Sequence, residues 1–82
     1  MFVEVTKMRR RELCAIALVD AESGNKLTIS YGKTSSVYFQ GRGTELTLLS
    51  TGYPEKATEC YEQFKAEWVD GRKVLTYTDY LL

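Results

Sequence analysis

The chain has 82 residues, enough for one small hydrophobic core and not for two. Its 44% apolar content and single Pro exclude a disordered polar segment. Eleven Lys/Arg balance eleven Asp/Glu, so no net charge draws the whole domain toward nucleic acid or an anionic membrane.

Residues 1–7 alternate, with Met1, Val3 and Val5 on one side and Phe2, Glu4 and Thr6 on the other, the pattern of a half-buried strand. Residues 13–19 form an apolar run, which predicts a strand that is central in the sheet or covered on both faces. A turn follows over 20–25, where Gly24 and Asn25 suit a positive φ. Residues 26–31 alternate again, with Leu27, Ile29 and Tyr31 opposite Lys26, Thr28 and Ser30. After a second turn at 32–35, residues 36–40 and 44–49 read as a hairpin around Gly41-Arg42-Gly43. Its inward positions are Val37, Phe39, Leu46 and Leu48.

The period then changes. Pro54 suits a first helical position, where its missing N–H has no partner to lose. Ala57, Cys60, Tyr61, Phe64 and Trp68 fall on one helical stripe, and Asp70-Gly71 ends it. Residues 73–78 read as a last strand, and 79–82 as an apolar tail. The expected fold is a single α+β domain over 1–82: a small antiparallel sheet of about five strands, one amphipathic helix on one face, then a last strand.

Catalytic chemistry finds little to stand on. There is no His, and Cys14 and Cys60 are too far apart in sequence for a clustered metal site. Neither thiol has the His base that usually activates a nucleophile. Gly32-Lys33-Thr34 resembles the end of a phosphate-binding loop, but position 27 is Leu where the motif needs Gly, and a strand follows where it needs a helix. The acids mostly line the outward helix face, where solvation explains them. The expectation is a protein that is not an enzyme and takes no cofactor.

Binding features are more prominent. Residues 1–43 carry seven Lys/Arg and four acids, and residues 44–82 carry four and seven, an uneven charge able to orient a partner. Arg9, Arg10 and Arg11 are expected on a loop between strands; with Arg42 and an outward Tyr38 they could grip phosphates and stack on a base. Lys7 and these arginines ahead of an apolar run imitate an export signal, but the run is short and flanked by Glu12 and Asp20. Tyr77, Tyr80, Leu81 and Leu82 concentrate apolar area at the chain end, which points to a homo-oligomer, a dimer foremost. Two free thiols, Cys14 and Cys60, fit a reducing cytoplasm, with a single Cys14–Cys60 bridge as the alternative, and nothing approaches the length of a membrane span.

The stretch 37–48, Val-Tyr-Phe-Gln-Gly-Arg-Gly-Thr-Glu-Leu-Thr-Leu, followed by a short helix with Glu59, Tyr61, Glu62 and Phe64, resembles the very small FlbD-like proteins of bacteria and phages. That resemblance covers about the middle half of the chain and implies strands, a glycine turn and an amphipathic helix; the strand after the helix departs from it. A second similarity is to WGR domains, which associate with nucleic acid. Their Trp-Gly-Arg signature is absent, and Tyr31-Gly32-Lys33 is its nearest counterpart. The functional expectation is a small accessory or regulatory protein of bacterial or phage origin that binds another protein or a second copy of itself. Nucleic-acid binding through Arg9–Arg11, weak and salt-sensitive, is the alternative.

Overall fold

The structure, a computed structural model, describes residues 2–70. Five antiparallel strands form one sheet in sequence order: β1 (Phe2–Arg9), β2 (Glu12–Asp20), β3 (Lys26–Ser30), β4 (Ser35–Gly41) and β5 (Thr44–Thr51). One helix, α1 (Pro54–Val69), packs across one face. This is the expected α+β architecture. The expected strand at 73–78 and the tail residues Tyr77, Tyr80, Leu81 and Leu82 lie outside the described residues.

Register decides which side chains meet the helix. Glu4, Leu18, Leu27, Phe39 and Leu46 form one row across the sheet, and Thr6, Ile16, Ile29, Val37 and Leu49 form the next. Alternation puts both rows on one face. From the other side, α1 supplies buried Ala57, Tyr61 and Trp68, with Cys60 and Phe64 half-buried beside them. The Trp68 ring meets Phe39 edge-on at 5.4 Å and Phe2 at 4.8 Å, both favourable aromatic geometries. The core therefore reaches further across the sheet than Val37, Phe39, Leu46 and Leu48, taking in Leu18, Leu27 and Ile29.

A strand irregularity and the place of β2 refine the expected pattern. In β5, Tyr38 pairs with Thr47 but Val37 pairs with Leu49, so Leu48 is the extra residue of a β-bulge. Simple alternation cannot see the bulge, which turns Leu49 inward beside Leu48. The apolar run in β2 is covered on one face only among the described residues. Its other face presents Ala15, Ala17 and Val19, all half-buried, whose small side chains gain cover from the neighbouring strands.

The turns alternate between the two ends of the meander. Asp20 organises the β2–β3 turn: its carboxylate accepts from the Glu22 N–H and the Ser23 hydroxyl, each at 3.0 Å. These bonds hold its carboxyl below the usual carboxylate range. Gly24 supplies the left-handed conformation there, at φ 79°. At the other end, the Tyr31 hydroxyl donates to Thr58 Oγ1 at 2.6 Å, and Thr58 donates in turn to the Pro54 carbonyl at 3.0 Å. That chain of bonds fastens the start of α1 to the end of β3.

Candidate interaction surface

β1 is an edge strand, paired with β2 on one side and free of any strand on the other among the described residues. Its even-numbered residues turn to the helix. Phe2 meets Trp68, and Glu4 accepts hydrogen bonds from the Tyr61 hydroxyl at 3.0 Å and from Lys65 Nζ at 2.6 Å. The hydrogen bond from the Lys65 ammonium holds the Glu4 carboxyl below its ordinary value against the opposing effect of burial. Burial and then Glu4 push the Tyr61 hydroxyl well above the usual phenol range. This cluster ties the edge strand to the helix.

A pH effect follows from the sign of the Glu4 shift. Because its carboxyl is lower in the folded state, its contribution is present above the ordinary carboxylate range and is lost as pH falls through the lowered value. Glu4→Gln should cost about 1 kcal/mol at neutral pH, the scale of a partly exposed charged hydrogen bond. Denaturant melts of both proteins should converge in acid. A gap that stays constant from pH 7 to acid would show that the charge of Glu4 is not what matters.

The odd-numbered residues of β1 turn to the uncovered face. Val3 and Val5 are 46% and 53% exposed, and Met8, on the helix side, is 56% exposed. Among the described residues six large apolar side chains are exposed, and four of them, Val3, Val5, Met8 and Leu13, lie on β1 or its direct partner strand. Scattered surface apolarity does not account for such clustering on one edge. The other edge differs. β5 carries its bulge and shows Glu45, Thr47 and Ser50 to the uncovered face. Bulges and polar side chains are the usual means of blunting an edge against other chains.

The arginines occupy a strained turn. Arg10 and Arg11 join β1 to β2 at φ 51° and 66°, the left-handed values of a type I′ turn that Asn-Gly fills best. Lys7 and Arg9 belong to β1 itself, which corrects the expectation that the whole basic run splays from a loop. The β3–β4 turn with Lys33 and the start of α1 with Lys56 lie at the same end of the meander. Arg9 and Arg10 line an open depression there of about 670 Å³, with Glu12, Cys14 and Tyr31. Arg42 does not join them. It lies in the β4–β5 turn at the opposite end, at φ 53°. Tyr38 is half-buried in the middle of the uncovered face between Thr28 and Thr47. The residues proposed to grip a nucleic acid together are thus distributed over three places.

Both thiols are free and half-buried. Cys14 is the extra residue of a second bulge, opposite Lys7 and Met8, and its Sγ donates to the Lys7 carbonyl at 3.3 Å. Burial pushes the Cys60 thiol up, away from the reactive thiolate. Among the described residues no group of three or more His, Cys, Asp or Glu side chains could hold a metal ion. No helix among them is long and apolar enough to cross a membrane.

Sequence reasoning missed the exposed edge because alternation alone does not say which strand ends a sheet. The signal was present in Val3 and Val5, which share a phase opposite to the helix-facing Phe2. Comparison with known proteins adds no constraint: no family model, no curated protein and no solved structure matches the chain.

Proposed function

We propose that the protein is a non-enzymatic binding module that acts by docking another protein on β1 and the uncovered sheet face beside it. The observation that carries this is the exposure of Val3 and Val5 on one face of a strand that ends the sheet among the described residues, with Met8 exposed on its other face. Such an edge offers free N–H and C=O groups for strand addition, and the valines add apolar area to the same surface. The resemblance to small FlbD-like proteins supports an accessory or regulatory role in a bacterium or phage, in the cytoplasm. Nucleic-acid binding ranks below this because Arg9–Arg11, Tyr38 and Arg42 stand apart.

The test is affinity capture from native lysate with the tagged full chain and its Val3→Asp/Val5→Asp variant, each with nuclease. Proteins held by the parent after nuclease and lost by the variant are the expected result. Equal capture by both, or loss of all captured material on nuclease treatment, would overturn it.

A further inference from the structure

We propose that the open depression at the β1–β2 tip binds a small phosphomonoester with a hydroxylated body, its phosphate held by Arg9 and Arg10 and its hydroxyls by Glu12. The site lies at the end of the sheet, apart from Val3 and Val5, so it stands independently of the docking surface.

Arg9 and Arg10 both line the depression, and neither has an ion-pair partner among the described residues. Glu12 stands opposite Arg9 in the register and lines the same space, yet the two form no salt bridge. A guanidinium is a planar fork of donors that matches a phosphate bidentately, and a phosphate dianion takes two such forks. Lys33 follows the lining residue Gly32 and adds positive charge at the same end. That surplus suits a dianion better than a single carboxylate.

The rest of the lining selects a compact ligand. Glu12 repels a second phosphate but accepts hydrogen bonds from hydroxyls. The volume of about 670 Å³ is that of a small-molecule site. Positive charge does not continue along the molecule: Arg42 lies at the opposite end, where Asp20, Glu22 and Glu45 outnumber it and Lys26. A long polyanion would run from the arginines toward those acids. Asp70, where the described chain stops, stands roughly 18 Å along α1 from Thr58 by helical rise. Beyond it the sequence holds Arg72, Lys73 and Asp79, which bring no surplus of acid to claim the arginines.

The floor of the depression is fixed before a ligand arrives. The Tyr31 N–H donates to the Cys14 carbonyl at 2.8 Å, and the Tyr31 hydroxyl is held by Thr58 at 2.6 Å. Preformed lining lowers the ordering cost of binding. The strained turn acquires a reason as well: Asn-Gly would reverse the chain more easily but would take a guanidinium from the rim.

The test is a titration of the isotope-labelled full chain followed by amide chemical shifts, with glycerol phosphate, inorganic phosphate, glycerol and a short single-stranded oligonucleotide as probes. Glycerol phosphate should shift the amides of residues 9–14 and 31–33 saturably, at lower concentration than inorganic phosphate, and glycerol should shift none. Arg9→Gln/Arg10→Gln should weaken both phosphates roughly tenfold or more, while Arg42→Gln leaves them unchanged. Glu12→Ala should erase the preference for glycerol phosphate over inorganic phosphate. Val3→Asp/Val5→Asp should bind glycerol phosphate as the parent does, whatever the lysate capture shows. No saturable shift at tens of millimolar, an equal loss on Arg42→Gln, or an oligonucleotide bound more tightly than glycerol phosphate would each overturn the proposal. Glycerol phosphate bound no more tightly than inorganic phosphate would overturn the role given to Glu12.

Discussion

Phe39→Ala should unfold most of the protein at physiological temperature. Phe39 has no exposed surface, sits in the central row between Leu27 and Leu46, and carries the Trp68 ring on its edge. Removing a buried aromatic ring costs about 3–5 kcal/mol through lost transfer energy and the cavity left behind. A domain of this length has a total stability of roughly 4–12 kcal/mol, so the loss takes a large share of it. The thermal midpoint should drop by about 15–30 °C. Phe64→Ala is the informative comparison. The two rings look equivalent by sequence pattern, yet Phe64 is only half-buried at the margin of the core, and its truncation should cost clearly less. Thermal melts of both variants check this. A Phe39→Ala protein that melts within a few degrees of the parent would mean that the helix and sheet do not share one core.

The second large effect runs the other way. Replacing Arg10-Arg11 by Asn-Gly should raise stability by about 1–2 kcal/mol, because each left-handed arginine bears a steric cost that Gly does not and Asn bears less. The thermal midpoint should rise by roughly 5–10 °C, read at a dilution where the chain is monomeric. The β4–β5 turn is the internal reference: there Arg42 is followed by Gly43 at φ 75°, so only one position is strained. A midpoint that is unchanged or lower would show that the β1–β2 connection does not hold the type I′ conformation. With the expected gain, the hairpin tip sacrifices local stability for the charge it displays.

Most of the fold was legible because each element here obeys its own period. The 26–31 and 36–49 stretches alternate cleanly, and the helix stripe from Ala57 to Trp68 reads at once. Bulges were not legible, since an inserted residue such as Leu48 or Cys14 looks like any other until its partner strand is known. β2 takes an interior place in the sheet, one of the two that its apolar run suggested, and Ala15 and Ala17 on its second face are half-buried. The interaction surface was the least legible part. Arg9–Arg11 stood out by composition, whereas Val3, Val5 and Met8 gain their meaning only from being on an edge. The ion pair and hydrogen bond that join Glu4 to Lys65 and Tyr61 span more than two-thirds of the chain, and nothing local marks them.

Amide hydrogen exchange along β1, followed as a function of protein concentration, tests most directly whether this edge is a docking surface. Among the described residues β1 has β2 on one side only, and no described strand takes up the amides that point away from β2. The expected result is rapid exchange of those amides at high dilution and strong protection at tens of micromolar, with β3 and β4 protected throughout. Exchange in β1 that is the same at every concentration, fast or slow, would contradict docking of a second copy on this strand.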